Sequence, residues 1–433
     1  MRETVDDLLA RFNALHPRVI DLSLRRIETL LNKLGRPHDR LPPVIHVAGT
    51  NGKGSVLAFC RAAFEAAGIS VHQYVSPHLA RFNERIILAG REIDDDRLCH
   101  TLSAVDDAND GSPITFFEIT TAAAFHAFAQ TPADVLLLET GLGGRLDATN
   151  VVTCPSAVAI VSIDFDHQGY LGDTLEAIAG EKAGILRRDV PVLVGDLPAA
   201  ARTVILERAH DLGAPVHQHG VDWIHAVSAS GWTYNSSDRT IAMPLPALPG
   251  AHQLANAALA IALTDAANPA LLSDIHWQVA MTSVEWPGRL QQLTEGPLVE
   301  TLNRGQELWL DGAHNPAAAR ALAKWIRSRN RPVHAILGIL ETKDPENVLK
   351  PLVLECASVT AVPVHGHRCF SPEYLATTAQ AHGATTARTA SDIKSAIERV
   401  ATEAPSDEVI LICGSLYLVG QALAARQDQV NCS

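Results

Sequence analysis

The apolar run Val44-Ile45-His46-Val47-Ala48 breaks into Gly49-Thr50-Asn51-Gly52-Lys53-Gly54-Ser55, then into an apolar helical stretch over 56–67 closed by Gly68. That order is strand, glycine loop, helix, and it commits the chain to an α/β sheet with a ligand site at a strand end. Glycines let backbone N–H groups approach phosphate oxygens. The helix N-terminus adds positive potential, and Lys53 supplies a charge for the β- and γ-phosphates. The spacing departs from the general pattern G-x-x-x-x-G-K-[ST]: Val47 stands at the first glycine position, and Gly54 separates Lys53 from Ser55. The bland alternative is a glycine turn with a solvated lysine, and the flanking strand and helix speak against it.

The same alternation continues along the chain. Further strands are expected at 69–75, 135–139, 157–163 and 190–194, and their near-continuous apolar character fits a parallel sheet covered on both faces. Residues 214–249 read as a β-rich appendage, followed by a helix over about 253–265. At 433 residues the chain is too long for one ordinary core. A division at Trp286-Pro287-Gly288 gives an ATPase-type domain over 1–286 with a mostly parallel sheet. A smaller Rossmann-like α/β domain follows over 287–433, with strands at 308–310, 333–337, 359–362 and 409–413.

Composition narrows the partners. A hydrophobic fraction of 47% with 19% charged residues is that of a folded globular chain, and no apolar stretch reaches membrane length. The acidic start Met1-Arg2-Glu3-Thr4-Val5-Asp6-Asp7 lacks the form of a signal peptide, so a cytoplasmic protein is expected. The formal net charge of −13 opposes nucleic acid or an anionic membrane as partner. Seven scattered cysteines (Cys60, Cys99, Cys154, Cys356, Cys369, Cys413, Cys432) without a C-x-x-C pair read as reduced structural thiols.

Ligands of doubly wound sheets collect beyond the carboxyl ends of the strands. Ser76, Glu139 and Asp166-His167 fall at such ends, on one edge with the phosphate loop if the strands are parallel. A serine hydroxyl and a glutamate beside a triphosphate suit Mg²⁺. Histidine is a less usual ligand for that ion, and a capping role for His167 and a plain charged strand end for Glu139 are the structural alternatives. Lys182 lies on one helical stripe with Leu175, Ile178 and Ile185. A lysine there either snorkels to the surface or carries a lowered pKa.

Taken in order, these segments resemble the bifunctional dihydrofolate synthase/folylpolyglutamate synthase family, a branch of the Mur ligase superfamily. Besides the phosphate loop, the likeness rests on Ser76-Pro77-His78-Leu79, Phe82-Asn83-Glu84-Arg85-Ile86, Thr115-Phe116-Phe117-Glu118 and Glu139-Thr140-Gly141-Leu142-Gly143-Gly144-Arg145-Leu146-Asp147-Ala148. It continues through Asp166-His167, Glu181-Lys182, Trp286-Pro287-Gly288-Arg289, Asp311-Gly312-Ala313-His314-Asn315, Lys343-Asp344 and Gly414-Ser415. Thr140 departs from the aliphatic residue that many members carry.

The resemblance implies an ATP-dependent ligase that adds L-glutamate to dihydropteroate and to folates through an acyl phosphate. It implies that Asn51, Gly52, Lys53, Gly54 and Ser55 cradle ATP, and that Ser76, Glu139 and His167 ligate two Mg²⁺ ions with support from a carbamylated Lys182. It also implies Asn256, Arg289 and Asp311 as ATP contacts, with His314 nearby. The pterin would meet Ile20, Asp21, Leu22, Thr115, Phe116, Phe117, Glu118, Leu146, Asp147 and Ala148, and the enzyme would work as a monomer. Arg81, Arg85 and Arg145 are candidates for the anionic tail, with surface arginines as the alternative. The general base stays open between His314 and a carboxylate.

Other motifs read as structural. Gly141-Leu142-Gly143-Gly144 fails as a dinucleotide loop because Leu146 takes the third glycine position. Asp94-Asp95-Asp96 reads as a solvated helix start, and His217-Gln218-His219 and His365-Gly366-His367 read as surface loops. The rivals are a single folylpolyglutamate synthase activity, another Mur-type ligase, and a binding protein that senses ATP without chemistry.

Overall fold

Strands with apolar side chains on both faces need cover on both faces, and the chain supplies it in two separate sheets. The computed structural model describes residues 3–17, 20–228, 230–268, 272–404 and 407–430; Met1, Arg2 and Cys432 lie outside these. The first sheet contains β1 (Val44–Ala48), β2 (Val71–Tyr74), β3 (Ile86–Leu88), β4 (Arg91–Glu92), β5 (Val135–Glu139), β6 (Ala157–Ile160), β7 (Val192–Val194) and β8 (Val216–Gln218). Their spatial order is β4-β3-β2-β5-β1-β6-β7-β8. All neighbours are parallel except β2 with β3 and β3 with β4.

Side-chain alternation assigns the layers. Ile45, Val47, Leu137, Ala159 and Leu193 share a core with helices Lys53–Ala66, Ala251–Ala267 and Asp274–Ser283. On the other face Val44, Leu136, Leu138 and Tyr74 pack with helices Val5–Ala14, Arg25–Lys33, Asp95–Asn109 and Phe116–Ala129. Ala48, Val158, Ile160, Val192 and Val194 pack with Leu175–Lys182 and Ala199–Leu212.

A small antiparallel sheet follows, β11-β10-β9 in space, from β9 (Trp223–Ser228), β10 (Gly231–Ser236) and β11 (Thr240–Met243). Trp232 and Tyr234 join the core of helix Ala251–Ala267. The last sheet has β12 (Gln291–Leu293), β13 (Glu307–Leu310), β14 (Val333–Leu337), β15 (Ser358–Ala361), β16 (Ala387–Thr389) and β17 (Val409–Cys413). Its order is β12-β13-β17-β14-β15-β16, and only β12 runs antiparallel to its neighbour. Trp309, Ala335, Leu337, Val359 and Leu411 face helices Pro316–Ser328, Pro345–Val353 and Pro372–Ala381, while Leu308, Leu310, Ile336, Ile410 and Ile412 face Ile393–Glu403 and Leu416–Val430.

Several expected boundaries move, each for a local reason. The strand expected over 157–163 ends at Ile160 because Ser162 turns to the phosphate loop, its carbonyl taking Thr50 N at 2.8 Å. The strand expected from 190 starts at Val192, since Pro191 has no N–H to donate. The 69–75 strand narrows to Val71–Tyr74, and the helix expected from 56 begins at Lys53, after Gly52 at φ +84°. The expected β-rich appendage loses β8, which pairs with β7 in the large sheet. His217 and His219 are therefore half-buried at a sheet edge rather than in a free loop, and His219 Nε2 lies 3.2 Å from His225 Nδ1. His365-Gly366-His367 is an exposed turn. Asp94 caps helix Asp95–Asn109 by accepting from Arg97 N. The short strands β3, β4, β8, β12 and β16 have two or three residues each, too few to show a period in the sequence.

The six cysteines among the described residues are unpaired. No helix among these residues is long and apolar enough to cross a membrane.

Leu137 is fully buried in β5 at the centre of the large sheet. Leu137→Ala is expected to lower stability by about 2–5 kcal/mol, read as an earlier urea midpoint with an unchanged m-value.

Candidate active site

The carboxyl ends of β1, β2, β5 and β6 open on one side of the large sheet, against the carboxyl ends of β13, β14 and β17. Between them lies a cavity of about 1510 Å³. Every residue named above for nucleotide, metal, catalysis or pterin lines it.

In the phosphate-loop region, Gly52 needs its glycine for the backbone and also for space, since a Cβ would meet Asn256 Oδ1 at 2.8 Å. The loop is held by β6: Asn51 N donates to Ser162 Oγ at 2.9 Å. Lys53 Nζ folds back to Gly49 O at 3.0 Å and lies 3.7 Å from Glu139 Oε1. Helix Ala251–Ala267 contributes Gln253, which donates to Ser55 Oγ at 3.4 Å and accepts from Asn256 Nδ2 at 2.9 Å.

Beside the loop, ionisable groups are buried without full pairing. Glu139 is 5% exposed; burial raises its carboxyl, Lys53 opposes that, and Ser76 N donates to Oε2 at 3.3 Å. Lys182, at 4% exposed, does not snorkel. It is the last residue of its helix, and the stripe continues to Ile185 through a 3-10 turn, Ala183–Ile185. Among the described residues no carboxylate lies within ion-pair distance of Lys182, and burial followed by the charge of Lys53 lowers its amine to about 7. His167 sits at φ +53°, and burial and Lys343 lower its ring to about 4, so its imidazole is neutral at neutral pH.

These donors suit an ion that arrives with a substrate. Among the described residues no group of three or more His, Cys, Asp or Glu stands close enough to hold a metal alone. Mg²⁺ keeps waters and phosphate oxygens and takes one or two protein carboxylates, so Glu139 with Ser76 and His167 fits it better than a metal needing a full protein cage.

Of the residues expected to meet a pterin, Asp21, Thr115 and Glu118 are tied into one hydrogen-bond network. Thr115 and Glu118 form a capping box on helix Phe116–Ala129. Glu118 Oε2 also takes Arg26 Nε at 2.9 Å, while its buried Oε1 has no partner. Arg26 in turn donates to Asp21 Oδ2 at 2.9 Å. Asp147 accepts from Leu142 N at 2.7 Å and Thr149 Oγ1 at 2.6 Å, and burial raises its carboxyl. Phe117 lies so close to Gly141 that a Cβ there would come within 2.3 Å of the ring.

Of the three candidate arginines only Arg85 lines the cavity. It is 7% exposed, near the Phe82 and Phe116 rings at 5.2 and 5.7 Å, and donates to His78 Nδ1 at 2.9 Å. Arg81 and Arg145 are instead paired outside the cavity, with Asp95 at 2.6 Å and Glu181 at 2.9 Å.

The two sheets meet at Asp166. Its carboxylate takes Lys343 Nζ at 2.6 Å and Asn315 Nδ2 at 3.1 Å, and lies 3.7 Å from His314 Nε2. Burial would raise this carboxyl, but Lys343, His167 and His314 outweigh it and hold it well below the ordinary range. Asn51 and Asn315 exchange hydrogen bonds at 2.9 and 3.1 Å across the same junction. The sequence reading assigned no role to Arg26, Gln253 or the Asp166–Lys343 pair. Arg26 and Gln253 gave no local signal, and Lys343 is 177 positions from Asp166.

Residues 47–264 match the model of the Mur ligase middle domain, and residues 297–425 match that of the dihydrofolate synthetase C-terminal domain. The chain is 36% identical to the dihydrofolate synthase/folylpolyglutamate synthase of Haemophilus influenzae over 94% of each chain. Its fold is similar to Escherichia coli FolC solved in complex with DHPP and ADP, with a TM-score of 0.89 and 31% identity over 99% of each chain. It is also similar to a bifunctional folylpolyglutamate synthase/dihydrofolate synthase solved with Mn, AMPPNP and L-glutamate, with a TM-score of 0.86 and 33% identity over 98% of each chain.

Asp166 and Lys343 are expected to couple by about 1–3 kcal/mol in a double-mutant cycle of Asp166→Ala and Lys343→Ala followed by denaturant unfolding. A carboxyl with a depressed pKa contributes stability that is present above its unfolded value and lost as pH falls through its folded value. The coupling is therefore expected to be undiminished between pH 8 and pH 5.

Proposed function

Because the chain belongs to the dihydrofolate synthase/folylpolyglutamate synthase family, we propose that it is an ATP-dependent ligase joining L-glutamate to dihydropteroate and to the γ-carboxylate of folates through an acyl phosphate. The observation that carries this reading is the single cavity in which a phosphate loop, a buried carboxylate and lysine, and an aromatic-walled pocket with a free carboxylate oxygen on Glu118 all open together.

In the first step a substrate carboxylate oxygen attacks the γ-phosphorus of ATP, the bond to the β-phosphate oxygen breaks, and ADP departs. In the second the ammonium of glutamate gives a proton to a carboxylate or to water, the resulting amine attacks the acyl carbon, the bond from that carbon to the phosphate oxygen breaks, and inorganic phosphate leaves as the nitrogen gives up a second proton to water. Both steps need anionic oxygens held close together, which is mainly positioning and electrostatics. Lys53 supports the β- and γ-phosphates from the large domain, and Arg289 reaches them from beyond the hinge. Asn51, Gly52, Gly54 and Ser55 hold the phosphates, while Asn256 and Asp311 hold the nucleoside. Mg²⁺, when bound at Ser76, Glu139 and His167 as two ions, supplies charge neutralisation of the transferring phosphoryl group.

Glu118 and Asp147 accept from the pterin, Phe116 and Phe117 flank it, and Ile20, Asp21, Leu22, Leu146 and Ala148 complete the pocket. Arg85 takes an α-carboxylate of the tail; its burial without a carboxylate in ion-pair contact among the described residues supports that role. His314 orients the incoming amine rather than carrying its proton, because burial and Lys343 lower its ring to about 3.

Lys182 reacts with CO₂: its neutral amine nitrogen bonds to carbon, one proton is released, and a carbamate anion takes the place of an ammonium. An amine near 7 has a large neutral fraction at working pH, and that fraction grows as pH rises. One chain supplies the whole cavity, which supports a monomer, and the free thiols among the described residues support a cytoplasmic setting.

ADP release with Mg²⁺, ATP and L-glutamate is expected with dihydropteroate and with tetrahydrofolate alike; turnover with neither would sink this reading. Lys182→Ala is expected to cut turnover by about 10–100-fold or more while leaving the circular dichroism spectrum unchanged. Wild-type enzyme in ¹³C-bicarbonate is expected to show a carbamate carbon resonance that the variant lacks.

A further inference from the structure

Gly54 occupies a position whose backbone dihedral angles do not call for glycine. It lies in the first turn of helix Lys53–Ala66 and is not among the residues with positive φ, unlike Gly52 two positions earlier. At an ordinary helical position alanine is the better helix former, because glycine loses more conformational freedom on folding. The obstacle is a side chain distant in sequence: a Cβ at residue 54 would come within 2.3 Å of Trp286 Cζ2, 2.7 Å of Cε2 and 2.9 Å of Nε1.

Trp286 is half-buried against the core formed by helices Lys53–Ala66 and Ala251–Ala267, and its ring also lines the cavity. The residues after it make a tight connection to the small domain. Gly288 and Leu290 both have left-handed backbones, at φ +72° and +45°. Gly312 N donates to Gly288 O, and Leu290 N donates to Asp311 Oδ2, each at 2.9 Å. Segment 286–290 is thus anchored at one end on the phosphate-loop helix and at the other on the Asp311–Gly312 turn.

We infer that Trp286 is a positioning residue whose indole seats the first turn of the phosphate-loop helix and so sets Lys53 and Arg289, the two cations on opposite sides of the cleft, in register for ATP. This accounts for the unusual glycine between Lys53 and Ser55: the loop gives up a side chain there to receive the ring. The inference rests on the reading that ATP binds this loop.

The test is steric complementation among Gly54→Ala, Trp286→Ala and the double variant, measuring ADP affinity with Mg²⁺, KM for ATP and for dihydropteroate, kcat and Tm. Gly54→Ala is expected to raise KM for ATP about 10-fold or more while KM for dihydropteroate stays within about 2-fold. The double variant is expected to return to within about 3-fold of Trp286→Ala alone, a non-additivity that only direct contact predicts. Effects that multiply in the double variant, or lower Tm values with KM for ATP unchanged, would overturn the inference. If Gly54→Ala does not fold, Trp286→Ala decides alone: a raised KM for ATP with unchanged KM for dihydropteroate upholds it, and an unchanged KM for ATP refutes it. Lys53→Met separates the two layers of the reading. Loss of ADP binding there with wild-type affinity in the Gly54 and Trp286 variants refutes only the positioning role, whereas intact ADP binding in Lys53→Met refutes the nucleotide site itself.

Discussion

Lys53, Glu139 and Lys182 stand within one low-dielectric pocket at the carboxyl edge of a parallel sheet, where burial works against the charged forms of Glu139 and Lys182. Burying charge without full pairing is among the costliest things a fold can do. Here the cost is carried by β1, β5 and β6, whose apolar side chains are covered on both faces. Among the described residues no carboxylate pairs directly with Lys182, so the pocket favours the neutral amine. The amine of Lys182 responds by sitting near 7 instead of remaining a full ammonium.

The same logic extends across the cleft. The cavity brings Lys53, Lys182, Arg85, Arg289 and Lys343 together with carboxylates that include Glu118, Glu139, Asp147 and Asp166, so its cations act locally, each against its own neighbours. Asp166 neutralises Lys343, contacts Asn315 and sits next to His167, so the contact between the two sheets' carboxyl edges and that histidine share one loop.

Much of this was legible because the relevant signals are local. β1, β5, β14 and β17 fall at the expected residues, since each is a five-residue run with at least four apolar side chains. The phosphate loop announces itself by composition, and Ser76, Glu139 and His167 could be placed on one edge as soon as the strands were taken as parallel. What could not be read were β3, β4, β8, β12 and β16, too short to carry a period, and pairings such as Arg26 with Glu118, 92 positions apart. Of the three candidate arginines, nothing in their neighbours distinguished Arg85 from Arg81 or Arg145.

By itself the sequence determined the fold class, with its larger and smaller α/β domains, and the glycine loop between a strand and a helix, because periodicity and glycine placement are short-range properties. Only the tertiary structure decided which side chains are buried, which are paired and which face each other: Lys182 inside rather than snorkelling, Arg85 in the cavity rather than on the surface, Trp286 pressed on Gly54. Burial and pairing depend on neighbours brought together by the packing of whole layers, and no local pattern in the chain encodes that proximity.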